Sequence, residues 1–216
     1  MSGFAELSES DRKIYENTLA RFGLTPDQMH RSGVISTDDY GGNLVLSADP
    51  ATSDIEPLMV PYHSLAGLKA MIGRPDSDYT HGPFSDRLFQ YPAPLDPDRA
   101  HTLMNTQNAC DFDYQATAEE MGRMKRAAEC YVMGNSQKLQ AFEAILNQRF
   151  GTGSIAVLPL DVLVVKAGQT VTFKPDPNDP GKILCPNFTS VTVDNGGQII
   201  VETQIQMTTI SFTAAD

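Results

Sequence analysis

The side chains with the most chemical potential in this 216-residue chain are four histidines, three cysteines and a scatter of carboxylates. His30, His63, His81 and His101 contain no i, i+4 pair, so a helical zinc signature is absent. Three of them fall in one irregular stretch, 62–114, together with Tyr62, Tyr79, Tyr91 and the acids Asp76, Asp78 and Asp86. An enzyme or a small-ligand binder, with a site, metal-binding or not, assembled in this stretch from His63, His81 and His101, is the alternative expectation. Imidazole suits such a site because it titrates near neutrality and ligates metals readily. Histidines on the surface or near helix ends are the plainer reading, and no cofactor or resident metal is expected.

Nucleophiles are no better supported. Cys110, Cys130 and Cys185 are odd in number and widely spaced, which fits free structural thiols rather than a disulfide framework or a C-x-x-C site. Cys110 lies in Ala109-Cys110-Asp111-Phe112-Asp113, where the acidic neighbours disfavour a thiolate. Gly151-Thr152-Gly153-Ser154-Ile155 lacks the closing glycine of a serine nucleophile elbow. Neither glycine-rich phosphate-binding motif occurs. Asp176-Pro177-Asn178-Asp179-Pro180-Gly181 offers oxygen atoms to Ca²⁺, but it lacks EF-hand spacing and its prolines explain it as a turn. Together these weigh against an enzyme.

The charge balance is 16 basic against 27 acidic residues, a net −11, which disfavours nucleic acid and anionic membranes as partners. Apolar stretches fall short of the roughly 20 residues of a membrane helix. Met1–Glu6 lacks a basic, then apolar, leader pattern, so a cytoplasmic location is expected, with non-classical export left open. For the same reason the glycosylation pattern Asn187-Phe188-Thr189 is set aside.

Cap signals place the helices. Ser8 with Asp11 opens one that ends near Gly23; Thr25-Pro26 opens a short second; Ser64 to Ile72 reads as a third. Asp96-Pro97 opens a fourth, and Thr117 with Glu120 forms a capping box before Met121, Met124 and Ala128. A further helix carries Leu139, Phe142, Ile145 and Leu146. Between these, residues 74–98 hold five prolines and read as a long irregular connection.

From Ile155 the composition turns to Val, Ile, Thr and Phe, and strands are expected around 155–159, 162–166, 170–174, 183–185, 190–194 and 198–212. In the last, Val201, Thr203, Ile205 and Met207 alternate with polar residues. Its wet face, Gln204, Gln206 and Thr208, is the expected assembly surface. Two segments share a pattern of apolar residue, glycine turn and apolar strand. They begin at Val165 and Val193, 28 residues apart, with glycines at 168 and 196. Two copies are too few for a solenoid, so a sandwich or short roll is preferred.

The expected architecture is therefore α+β: a helical N-terminal region, 1–152, followed by a small all-β module, 153–216. The expected role is a structural or interaction protein, a homo-oligomer or one bound to a protein partner, with the β module as the assembling part.

Overall fold

The strands stack in parallel, one turn of chain above the next. The computed structural model describes residues 3–29, 31–106 and 109–215, without the side chains of Arg31, Ser32, Ala109 and Cys110. His30 and the Cys110 thiol thus lie outside the described residues. The strands are β1 (Arg31–Ser36), β2 (Asn43–Ser47), β3 (Leu58–Tyr62), β4 (Gly153–Val165), β5 (Thr170–Lys174), β6 (Leu184–Val193), β7 (Gln198–Val201) and β8 (Thr208–Ala214). One sheet has the order β1-β4-β6-β8, with β3 also paired to β4; the other is β2-β5-β7. Each turn of chain places a strand in the first sheet, rounds a corner and places a strand in the second. The turns are β1-β2, β4-β5 and β6-β7, and β8 begins a fourth. The 28-residue offset is the register itself, since Val165 lies opposite Val193 and Thr170 opposite Gln198.

The corners explain the repeated glycines. Gly168 and Gly196 have φ of 72° and 80°, where any Cβ is strained, and the Gly168 N–H donates to Gly196 O at 3.1 Å. A third corner, Thr37–Gly42, stacks on the one at Gly168: Thr37 Oγ1 accepts from Lys166 N at 3.0 Å, and Thr170 N donates to Gly42 O at 2.9 Å. Inside the coil, Ile35, Leu44, Leu46, Leu158, Leu160, Leu163, Phe173, Phe188 and Val191 form one apolar core drawn from both sheets.

β4 is buried along nearly its whole length, as a parallel strand covered on both faces should be. Helix α1 (Glu9–Ala20) packs here through Tyr15, whose hydroxyl donates to Leu160 O at 2.7 Å. Core-facing parity in β4 runs 156, 158, 160 and then 163, 165, and in β6 it shifts at the same level, from 188 to 191. The shift turns Asp161 out of the core. Its carboxylate, 4% exposed, accepts from Phe4 N at 2.7 Å, Gly33 N at 2.8 Å and Thr189 Oγ1 at 2.7 Å. One side chain therefore ties β1, β4 and β6 to the N-terminal segment.

The chain divides into two units, Met1–Val60 with Ser154–Asp216, and Pro61–Gly153. The second unit carries α2 (Leu65–Ile72), α3 (Ser77–Thr80), α4 (Pro97–Met104), α5 (Ala109–Gln115), α6 (Ala118–Met133) and α7 (Glu143–Phe150). The Thr117–Glu120 capping box forms as the sequence indicates, as does the Ser8 cap on α1.

Helices and parallel strands thus interleave along the chain in an α/β-like arrangement. This corrects the α+β expectation of a helical N-terminal region followed by an all-β C-terminal module, and it removes the β-sandwich. The N-terminal residues 31–47 supply a full turn of the coil, and the helical unit interrupts the coil between its first and second turns. The expected strand 198–212 is also two strands, β7 and β8, in different sheets, joined by a corner at 202–207. Ile205 and Met207 still pack on the core, which produced the alternation.

Replacing Asp161 by Ala is expected to lower stability by about 3–5 kcal/mol, since each orphaned donor costs about 1–3 kcal/mol before relaxation. Urea unfolding followed through the strand-bearing unit checks this. The glycines supply a paired contrast by the same measurement. Gly196→Ala should cost about 1–2 kcal/mol for its left-handed backbone, whereas Gly122→Ala, in open space on α6, should gain about 0.5–1 kcal/mol.

Candidate interaction surface

The three candidate histidines are all exposed. His63 follows β3. His81 Nδ1 lies 2.9 Å from Thr80 Oγ1, and His101, on α4, contacts Asn105 Nδ2 at 3.1 Å. These partners are local, and no hydrogen bond or ion pair among the described residues links one histidine to another. Among the described residues, no group of three or more His, Cys, Asp or Glu could hold a metal ion.

The polar centre of the helical unit is instead Lys69, which carries no motif in the sequence. It sits on the apolar face of α2 beside Leu65, Leu68 and Ile72 and is 8% exposed. Its ammonium donates to Tyr131 O at 3.0 Å and to Gly134 O, and pairs with Asp76 at 2.7 Å. A cation there satisfies the terminal carbonyls of α6 and complements its dipole. Asp76 in turn accepts from Ser136 N and Oγ at 2.8 and 2.6 Å. Burial pushes the Asp76 carboxyl up, but the bonds from Lys69 and Ser136 outweigh that and hold it below its ordinary value.

Other residues of the 74–98 connection fasten to the same end of α6. Tyr79 OH donates to Met133 O, Tyr91 OH accepts from Asn135 N at 2.8 Å, and Asp86 pairs with Lys138 at 2.5 Å. These hydrogen bonds and ion pairs join the 74–98 connection to α2 and to the end of α6, so the cluster's chemistry is fastening. The thiols agree with a structural role. Cys130 and Cys185 are buried and free, and burial pushes Cys185 up to about 12, far from a thiolate at neutral pH. The Asp176 segment is a turn: Asp176 Oδ1 accepts from Asn178 N at 2.8 Å, and its other oxygen takes Lys182 Nζ at 3.2 Å.

The surface with unspent capacity lies at the open end of the coil. Among the described residues, no strand pairs with the free edges of β7 and β8. Gln198 N donates to Gln169 O and Glu202 N to Phe173 O, both at 2.9 Å. By alternation, Ile199 and Val201 turn their backbone groups away from β5, toward the free edge. Ile200 is 40% exposed, and Val201 and Phe212 are each 51% exposed. From Gln198 to Ala215 there is one charged residue, Glu202, in a chain of net charge −11. Of the expected assembly residues, Gln204 is exposed while Gln206 and Thr208 are half-buried. Gln204 and Gln206 spend backbone groups on Leu184, at 3.1 and 2.9 Å. The sequence pattern puts Gln204, Gln206 and Thr208 on the wet face of one strand, 198–212. The structure adds Ile200, Val201 and Phe212, whose apolar side chains on a polar-looking strand were the available signal.

The other edge of the small sheet is closed. Val45 N donates to Asp54 Oδ2 at 2.7 Å, Asp54 N donates to Val45 O at 2.9 Å, and Ser47 N donates to Ser53 Oγ at 3.0 Å. The 49–55 loop thus occupies the outward-facing backbone of β2, leaving the coil with one blocked small-sheet edge and one open one.

No helix among the described residues is long and apolar enough to cross a membrane. No protein-family model, curated protein or solved structure matches the chain.

One charge cluster makes a pH prediction. Arg99 grips Glu120 through both oxygens, at 2.6 and 3.0 Å, while Glu120 also caps Thr117 N at 2.8 Å. The Arg99 hydrogen bonds lower the Glu120 carboxyl from an ordinary 4.5 to about 2. A depressed folded value means that this contribution is complete above the ordinary value and fades as pH falls from about 4.5 toward 2. Carboxyl titration by NMR should place Glu120 near 2 in the native chain, and Arg99→Met should return it toward its ordinary value.

Proposed function

We propose that the protein is a structural or interaction component whose strand-bearing unit associates with another chain through the open end of its coil, Gln198–Ala215. The observation that carries this reading is the coincidence there of free strand edges, half-exposed Ile200, Val201 and Phe212, and a near absence of charge. Free edges are templates for pairing, and soluble proteins usually guard them with charge, proline or a covering loop. Here β2 has such a loop and β8 has none of these devices in its own sequence, Thr208-Thr209-Ile210-Ser211-Phe212-Thr213-Ala214. Main-chain bonds would supply affinity and the alternating side chains selectivity. The fastened cluster around Lys69 would hold the helical unit in shape.

Light scattering coupled to size-exclusion chromatography tests the reading. The native chain should run heavier than a monomer or form a complex with its partner. Phe212→Glu should abolish the association while leaving circular dichroism and the thermal midpoint unchanged, because Phe212 is half exposed. A native chain that stays strictly monomeric at high concentration and retains no partner overturns it.

A further inference from the structure

We propose that Asn195 is a site of spontaneous deamidation, where the backbone nitrogen of Gly196 attacks the side chain and leaves isoaspartate and aspartate. The modification goes beyond the association described above and does not depend on it. Asparagine is a thermolabile residue type, and a following glycine hinders the attack least because it has no Cβ. Asn195 is the one asparagine of the chain that precedes glycine.

Its place in the coil leaves that pair open to reaction. Gly197 N donates to Asp194 O at 2.8 Å across a turn in which Gly196 has φ of 80°, the type II arrangement with glycine third. The corner one turn earlier is built the same way, with Gln169 N donating to Lys166 O at 3.0 Å and Gly168 at φ 72°. There the position before the glycine is Ala167, and the Gly168 N–H is spent on Gly196 O at 3.1 Å. β7 is the last strand of its sheet, so no further corner stacks on Gly196. Among the described residues, no group accepts a hydrogen bond from Gly196 N. Asn195 and Gly196 are both exposed, and a Cβ at Gly196 would meet only Gly168 N, at 3.6 Å. Hydroxide can therefore reach the amide proton. Ring closure must break the Gly197–Asp194 bond, and a single exposed bond opens at little cost.

Asn135 is the contrasting case. It also precedes a small residue, Ser136, but it is 5% exposed, and the Ser136 N–H is held by Asp76 Oδ1 at 2.8 Å.

The chemistry needs only water. Base takes the Gly196 amide proton, and the nitrogen forms a bond to Asn195 Cγ. The bond from Cγ to the side-chain nitrogen breaks, and that nitrogen takes up a proton and leaves as ammonia. Water then opens the cyclic imide at either carbonyl, giving isoaspartate or aspartate. Either product sets a new carboxylate beside Asp194, whose own carboxylate lies 3.5 Å from Lys166 Nζ. The charge lands next to Gln198–Ala215, where Glu202 is the single charged residue. Isoaspartate also adds a methylene to the main chain of this corner, which no longer matches the one it stacks on.

Peptide mapping by mass spectrometry tests the proposal. The full-length native chain is aged in mildly alkaline water labelled with heavy oxygen and digested at low pH, beside a sample kept unfolded in urea. In the native sample the Asn195 peptide should split into isoaspartate and aspartate forms carrying the label, with isoaspartate in excess. Its rate should rise in proportion to hydroxide, while the Asn135 peptide stays intact. In urea both peptides should convert. Asn195→Gln, which would have to close a larger and slower-forming ring, should lose the products. The proposal falls if native Asn195 stays intact after the unfolded chain has converted there. It falls equally if native Asn135 converts as fast, if aspartate is the sole product, or if Asn195→Gln keeps the isoaspartate signal in that peptide.

Discussion

The buried carboxylate of Asp161 is the interaction on which the coil depends. Taking a carboxylate out of water is costly, and the cost is offset only when its lone pairs are met by well-placed donors. Here two backbone N–H groups and a hydroxyl meet them. Each donor comes from a different part of the unit: the N-terminal segment, the first turn and the third turn. β1 is the end strand of its sheet and pairs with β4, with an irregular register between Arg31 and Val34. Asp161 bridges that irregularity. The parity shift in β4 and β6 that turns Asp161 out of the apolar interior is therefore a requirement of the coil, not a flaw in its strands.

The same clamp bears on the insertion. The first and second turns of the coil are separated by Pro61–Gly153, so their pairing closes a long excursion of chain. Loop entropy grows only logarithmically, by about 0.6 kcal/mol per doubling of length, and an excursion that folds into its own unit behaves as a shorter tether. A few charge-assisted hydrogen bonds at the junction are on the scale needed to hold the first turn in place. The stacked corners add to this, with Thr37 reaching Lys166 and Gln169 on the next turn.

Local features were legible in the sequence and long-range ones were not. Ser8, Asp96, Thr117 and the glycines at 168 and 196 acted as their types predict, because caps and left-handed corners are decided within a few residues. The parallel stacking was hidden because the corner Thr37–Gly42 has a different length and is separated in sequence from the other two by the helical unit. The run Ile155–Val165 was divided at Pro159 and Asp161, whereas a strand buried on both faces reads as a continuous apolar run. The alternation around Ile205 arose from a corner that points two side chains into the core, which a period of two cannot distinguish from a strand. Lys69 was legible in principle: a lysine among Leu65, Leu68 and Ile72 on one helix face needs acceptors nearby. The histidines of the irregular stretch stand in solvent, His81 and His101 with local partners.

The way the chain treats its strand edges follows from its charge. A protein at net −11 resists association everywhere its acids are displayed. The small sheet has one edge closed by a loop that carries acids and one open edge where charge is scarce. β2 lies beside Asp49 and Asp54, and those same acids tie the covering loop, Asp54 to Val45 N and Asp49 to Thr52 Oγ1 at 2.6 Å. At the opposite end the residues are threonine, serine, glutamine and apolar, with Glu202 at the corner. Electrostatic repulsion is weakest there and the backbone groups are least occupied. The first property comes from composition and the second from the strand order, which leaves β7 and β8 last in their sheets.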